Sequence, residues 1–340
     1  SDVCSSDLSQ QRDNQECVKM KMKKLAAAVG LGLSLSLIAS ASQAALWSFE
    51  DDDIDFILDP DTLTAKTSGA LEVNDIFVSV FEIPVYTRDG VNGIPEGQEL
   101  TGVAAVELVG IFDPAGNPIN PDQTGVGSQY LFEAYTGGLN AILGLGGDAS
   151  VDDGDAGEGA AIAMWFNGAP GEDADDRDLD LNRTTNPATN CTSLSDCIEQ
   201  ASLGELFQVD GFGLDPDEIW ASTQILAGGN DIGTVLATGN STLISAFNMK
   251  LSNLYQAGGY EIGFLDIQTE LSCGNPGYIA DGCVQLSGSG TITGGQGLSN
   301  GAIAHSDFDA QKIAVPEPGL LALIGMGLVG FGARHLKRKS

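Results

Sequence analysis

Runs of β-branched and other apolar residues, partly alternating with polar ones, recur along residues 45–314. A period of two places every second side chain on the same face of a strand, so these runs predict β-strands. The clusters between them are rich in Gly, Asn, Asp and Pro and predict turns. The predicted strands are 71–83, 100–111, 130–135, 161–166, 246–251, 262–271 and 284–292.

Two segments have the pattern of short helices. One is 193–207, where Ser193 or Ser195 can cap the first turn, and the other begins near residues 215–218, where Pro and acidic residues suit a helix start. The chain has 45 glycines, and glycine in a helix interior costs about 1 kcal/mol relative to alanine. We therefore expect a mainly β fold, an antiparallel sandwich or barrel-like domain with one or two short helices.

A basic cluster, an apolar run and a stretch of small residues follow one another near the start of the chain. The lysines lie within 19–24, the apolar run within 25–39 and the small residues within 40–45. This order is typical of a secretory signal peptide, and the 15-residue run is shorter than the about 20 residues of a full membrane span. We expect a signal peptide at 20–44, cleaved between Ala44 and Ala45, and a non-native or artefactual leader at 1–19.

The C-terminal segment 315–340 has three parts. Pro316, Glu317 and Pro318 precede an apolar run at 319–333, and a basic tail follows at 334–339. Arg and Lys side chains can reach the lipid headgroups when an apolar run is short. Because basic flanks stay in the cytoplasm, the segments predict an exported domain, 45–314, held at the inner membrane by a C-terminal helix.

These three parts, in this order, resemble the PEP-CTERM sorting domain of Gram-negative bacteria. The resemblance implies that Pro316, Glu317 and Pro318 are recognised by exosortase, a membrane protease-transpeptidase, after export by the secretion machinery. It also implies that the helix and basic tail are removed or exchanged, and that the protein reaches the cell surface or the exopolysaccharide matrix of a biofilm or floc. The resemblance covers residues 314–340 and leaves the fold of the acidic domain open.

The domain between the two signals is strongly acidic. Residues 45–314 contain 42 acidic and six basic residues, a formal charge of −36. Such a charge repels phosphate backbones, so we expect no nucleic-acid partner. Solubility in a salty medium and binding of divalent cations both remain open as explanations of the charge.

Acidic residues cluster at 50–61, 148–158 and 172–180. Calcium prefers several oxygen ligands, which glycine-containing acidic loops can supply, but none of these clusters completes an EF-hand pattern. We expect solvated acidic loops, with weak calcium binding as a hypothesis and no other cofactor. The candidate calcium ligands are Asp152, Asp153, Asp155, Asp173, Asp175, Asp176, Asp178 and Asp180.

The domain contains four cysteines, Cys191, Cys197, Cys273 and Cys283. Four cysteines allow three pairings, and an exported protein favours disulfides over free thiols. The short separations favour two local pairs, Cys191–Cys197 and Cys273–Cys283. A zinc site competes with this hypothesis, although neither pair has Cys-x-x-Cys spacing.

Catalytic motifs are missing from the sequence pattern. His305 is the only histidine of residues 45–314, and no nucleophile elbow or phosphate-binding loop occurs. We therefore expect a non-enzymatic surface or matrix protein. The alternatives are a calcium- or carbohydrate-binding matrix module, in which Trp47, Trp165 or Trp220 would stack on sugars, and an extracellular polysaccharide hydrolase, which needs only two carboxylates.

Overall fold

The computed structural model describes residues 45–67, 71–88, 91–94, 99–146, 157, 159–167, 179, 181–182, 188–189, 191–213, 218–227, 242–257, 272–273, 283–284, 286–294 and 301–314. They belong to one compact unit, Ala45–Ala314. The predicted mainly antiparallel β class, with barrel-like curvature and two short helices, is confirmed. Within these residues no helix combines the length and apolar character needed to cross a membrane.

The described residues form sixteen strands, numbered here in chain order. They are β1 (Ala45–Leu58), β2 (Ile76–Arg88), β3 (Val91–Asn92), β4 (Glu99–Phe112), β5 (Gln129–Ala134), β6 (Ala160–Asn167), β7 (Leu181–Asn182), β8 (Ala188–Thr189), β9 (Glu205–Gly211), β10 (Ile219–Ala227), β11 (Thr242–Lys250), β12 (Ser252–Gln256), β13 (Ser272–Cys273), β14 (Cys283–Val284), β15 (Leu286–Gly294) and β16 (Ala304–Ala314).

The main sheet is strongly curved, and an additional pairing between β2 and β4 closes it. Strand β4 pairs along one edge with β2 and along the other with both β6 and β5. From β5 the pairing continues through β10, β11, β15, β16 and β1 to β2, so eight antiparallel strands form a closed circuit, called the ring below. Strands β6, β9 and β12 extend from β4 as a branch. Closure pairs the first strand with the last, Ala45 lying opposite Ala314.

The inner face of the ring is lined with large apolar side chains. Phe81 and Ile83 of β2 pack there with residues of β4, β5 and β11 in one continuous core. Gly102 of β4 lies opposite Phe81, and a Cβ at this glycine would come within 2.3 Å of the Phe81 ring. Because Gly102 has no side chain, the phenyl group of Phe81 can pack at this position on the inner face of the sheet.

The outer face of β1, β2, β4, β6 and β9 is covered by helices α1 (Leu139–Leu143) and α2 (Leu194–Ala201). Ser193 caps α2 by accepting a hydrogen bond from the backbone N–H of Asp196. At the other end, Thr101 of β4 donates a hydrogen bond of 2.6 Å to the carbonyl of Ala201. Helix termini leave backbone groups without intrahelical partners, and a side chain supplies a partner for one such group at each end of α2.

Several predicted strands coincide with observed ones. The segments 100–111, 130–135, 161–166 and 246–251 fall on β4, β5, β6 and β11, and 284–292 falls on β14 and β15. The segment 262–271 lies outside the described residues. Strand β2 begins at Ile76, because residues 71–75 form a turn in which Asn74 takes a positive φ of 79°.

Two predictions of local structure are wrong in part. The helix predicted at 193–207 ends at Ala201, because Gly204 takes a φ of 102° and the chain then enters β9. The acidic residues of 50–61 were expected in a solvated loop, but most belong to β1, whose apolar residues pair with β2 and β16. Residues 214–217 of the second predicted helix lie outside the described residues, and β10 begins at Ile219.

Gly211 offers a test of the branch packing. A Cβ at Gly211 would lie 2.1 Å from the carbonyl oxygen of Gly159, a backbone atom that a rotamer change cannot move. We expect Gly211→Ala to lower the free energy of unfolding by about 1–3 kcal/mol, the usual cost of overpacking. Urea unfolding of the purified protein measures this change.

Gly125→Ala is the matched control, because a Cβ at Gly125 would meet nothing within 4 Å. Its effect should stay within about 0.5 kcal/mol. Equal losses for the two variants would contradict the packing described for β6 and β9.

Candidate functional site

Strand β1 presents acidic side chains to the inside of the ring. Successive side chains of a strand point to opposite faces, and Ile54 and Phe56 pack outward beneath the helices. Asp51 and Asp53 line a cavity inside the ring, and Asp55 is buried on the same side, with 1% of its surface exposed. The alternation of apolar and acidic residues along β1 therefore separates a helix-covered face from an acidic one.

Neighbouring strands bring hydroxyl groups to these carboxylates. The register places Ser306 of β16 opposite Asp53 and Ser79 of β2 opposite Asp55. Ser79 Oγ donates a hydrogen bond of 3.0 Å to Asp53 Oδ2, and Ser306 Oγ donates one to Asp55 Oδ2. The Oδ1 atoms of both aspartates have no hydrogen-bond partner among the described residues.

Burial dominates the titration of this pair. Desolvation raises the pKa of Asp53 above its ordinary value of 3.8, against hydrogen bonds from Ser306 and Ser79 and the nearby His305, which lower it. The pKa of Asp55 is raised well above 3.8, first by burial and then by the charge of Asp53. The site therefore favours the neutral carboxylic acid, or a ligand that compensates the carboxylate charge.

The cavity beside Asp53 has a volume of about 120 Å³ and a mainly apolar lining. Seven aromatic side chains contribute to its wall, Phe49, Phe77, Phe81, Tyr130, Phe132, Trp220 and Phe247. Phe132 and Trp220 meet edge to face with their centroids 6.4 Å apart. An engineered apolar cavity of about 150 Å³ in another protein accepts benzene, so this space suits a small organic molecule.

A metal ion does not fit the same lining. Calcium takes six to eight oxygen ligands, and the described residues contain no group of three or more His, Cys, Asp or Glu side chains able to hold a metal. The arrangement can instead accept hydrogen bonds, or bind positive charge, at the carboxyl group of Asp53 beside an aromatic wall.

The residues singled out from the sequence are dispersed. Cys191 and Cys197 form a disulfide beside the start of α2, and Cys273 lies opposite Cys283 in the β13–β14 pair. Ala45 begins β1. Outside the described residues lie Ala44, the motif Pro316, Glu317 and Pro318, and the candidate calcium ligands Asp152, Asp153, Asp155, Asp173, Asp175, Asp176, Asp178 and Asp180.

The tryptophans proposed to stack on sugars differ in position. Trp165 is 1% exposed and belongs to the core beneath the helices, where a sugar cannot reach it. Trp220 is half-buried and contributes to the cavity wall. Trp47 belongs to β1, and its side chain lies outside the described part of the structure.

Sequence reasoning missed the Asp53–Asp55 pair. The signal was present, because acidic residues at 51, 53 and 55 alternate with apolar residues at 54, 56 and 58. That period of two indicates a strand with one acidic face. The high density of aspartates instead suggested a solvated segment, and no local pattern shows that such a face is buried.

Comparison with known proteins adds one match, at the C-terminus. Residues 314–339 match the family model described as the PEP-CTERM protein-sorting motif, which confirms the resemblance seen in the sequence. The motif indicates an exported protein that exosortase sorts and processes, with a surface or extracellular location. No curated protein matches the chain significantly.

The raised pKa values predict how stability depends on pH. Because folding favours the protonated carboxyls, the stabilisation from protonation is complete below the ordinary pKa of 3.8 and is lost as the pH rises through the raised values. We expect Asp55→Asn, which cannot ionise, to gain melting temperature relative to the natural protein as the pH rises from 4 to 8. Thermal unfolding at constant ionic strength measures the difference.

Asp61→Asn is the control, because it removes one acidic charge at an exposed position. Its melting temperature should differ from that of the natural protein by an amount that changes far less with pH. A pH-independent gap for Asp55→Asn would show that Asp55 titrates normally.

Proposed function

We propose that this protein is a non-enzymatic component of the cell surface or extracellular matrix, associated with exopolysaccharide in a biofilm or floc. The single observation that carries the proposal is the PEP-CTERM motif at residues 314–339. In this proposal exosortase recognises Pro316, Glu317 and Pro318 while the C-terminal helix holds the chain at the inner membrane. The acidic domain then reaches its destination free of the helix and basic tail.

The position of the motif relative to the last strand supports this route. Strand β16 ends at Ala314, and the matched segment begins at that residue. Two prolines follow, and proline has no backbone N–H and cannot continue a strand ladder in the middle of a sheet. Pro316 and Pro318, which follow β16 closely, therefore lack the N–H groups that a strand ladder needs, and this suits a protease site next to a folded domain.

The charge of the domain supports an extracellular role rather than a membrane-bound one. With a formal charge of −36 over residues 45–314, the domain is repelled by anionic lipid headgroups and remains soluble. In a hydrated polymer matrix, mobile cations screen this repulsion within about 10 Å at 0.1 M salt. The proposed role needs no catalytic group, and the sorting motif serves as a substrate element.

Replacing the motif tests the sorting step. We expect the triple variant Pro316→Ala, Glu317→Ala and Pro318→Ala to keep its full size and to remain in the membrane fraction, because exosortase no longer recognises it. The natural protein should lose mass and reach the surface or matrix fraction, but only in cells that contain exosortase. Immunoblots of fractionated cells measure size and location together.

The double variant Pro95→Ala and Glu96→Ala removes the same residue types outside the matched segment and should be processed normally. Matrix association is tested separately, by removing exopolysaccharide genetically from cells with intact exosortase. Release of the processed protein into the medium supports the matrix role, whereas unchanged retention on the cells contradicts it. Unchanged processing of the triple variant contradicts the sorting step.

A further inference from the structure

We propose that the cavity inside the ring binds a small organic cation, with an ammonium group against Asp53 and a short apolar body among the aromatic side chains. This inference goes beyond the sorting route and does not depend on it. It rests on three features of the same cavity, namely a buried acid with one oxygen that has no hydrogen-bond partner, an aromatic wall and the absence, among the described residues, of a lysine or arginine that forms an ion pair with this acid.

Asp53 is the buried acidic group among the residues that line the cavity. It is 5% exposed, it lines the cavity, and its Oδ2 accepts the hydrogen bond from Ser79. Its Oδ1 has no partner within the described part of the chain. A buried acceptor without a donor costs free energy, and an N–H donor in the cavity would remove that cost.

No lysine or arginine among the described residues forms an ion pair with Asp53; the pairs found there join Lys66 to Glu72 and Asp75. Asp51 lines the same cavity. Asp55 follows Asp53 on the same face of β1. Burial raises the pKa of Asp53, and the charge interaction with His305 of β16 is among the effects that lower it. Among the described residues, Asp53 therefore has no ion-pair partner.

The remaining wall suits a cation with an organic body. Aromatic faces attract ammonium groups within about 6 Å of the ring centroid, and the rings of Phe77, Phe132 and Trp220 stand together, with the Phe77 and Phe132 centroids 6.0 Å apart. Carbon atoms dominate the lining, so a hydrated metal ion would lose more water contacts than it gains. An organic anion would meet the acidic side chains and be repelled.

The negative charge of the whole domain also favours the binding of a cation. An excess of acidic over basic residues raises the local concentration of cations and speeds their association. Buried ion pairs require good geometry to offset the loss of hydration. The Ser79 hydroxyl holds the Asp53 carboxylate in place, so this part of the geometry exists before a ligand arrives.

Three probes of nearly the same shape separate charge from hydrophobic fit. Benzylamine is a cation at pH 7, benzyl alcohol is neutral and benzoate is an anion. Calorimetric titration of the exported protein should give saturable binding of benzylamine with a Kd below about 1 mM, at least tenfold tighter than benzyl alcohol. Benzoate should not bind. Equal affinity for amine and alcohol, or no saturable binding of benzylamine, would overturn the proposal.

Two variants assign the site. Asp53→Asn should weaken benzylamine binding at least tenfold and leave benzyl alcohol unchanged, because only the charge contact is lost. Ala104→Leu places three extra carbon atoms in the cavity wall and should abolish binding of both probes. Asp61→Asn, at an exposed acid, should leave both affinities as they were. Full benzylamine affinity in folded Asp53→Asn or Ala104→Leu protein would refute the assignment.

Discussion

The register of β1 between β2 and β16 is the constraint on which the rest of the structure depends. Because side chains alternate across a strand, a shift by one residue would exchange the two faces of β1. Ile54 and Phe56 would then enter the ring, and Asp53 and Asp55 would meet the apolar surfaces of the helices. The observed register instead matches each aspartate with a serine from a neighbouring strand. Core packing and buried polar contacts therefore select the same pairing.

The sequence predicted the elements that can be recognised from neighbouring residues alone. Strands β4 and β6 lie buried in the sheet and appear as apolar runs, and the sorting motif is recognised as a short linear segment at 314–339. The Asp53–Asp55 site could not be predicted in this way. The hydrogen bond from Ser306 to Asp55 joins residues 251 positions apart, and only the closed circuit of strands brings them together. Likewise, the apolar residues Leu206 and Phe207 fit a helical pattern, but pairing of β9 with β6 decides their conformation.

Acidic residues have two opposite physical roles in this chain. Together they give residues 45–314 a formal charge of −36, which favours solubility. The pair on β1 is removed from water, and its ionisation is disfavoured by burial and by mutual repulsion. Composition alone cannot distinguish these roles, because it counts exposed and buried residues alike. The distinction depends on which face of a strand the neighbouring strands cover.

Pairing of the first strand with the last has a consequence for the order in which the chain can fold. Strand β16 joins β1 and β15, so the circuit cannot close until nearly the whole domain has crossed the membrane. Contacts between residues so distant in sequence form slowly, since loop closure costs entropy before the contacts compensate it. Until then β1 and β15 each expose an unpaired edge, and such edges invite association with other chains. We therefore expect the domain to close only after β16 has crossed the membrane and paired with both of these edges.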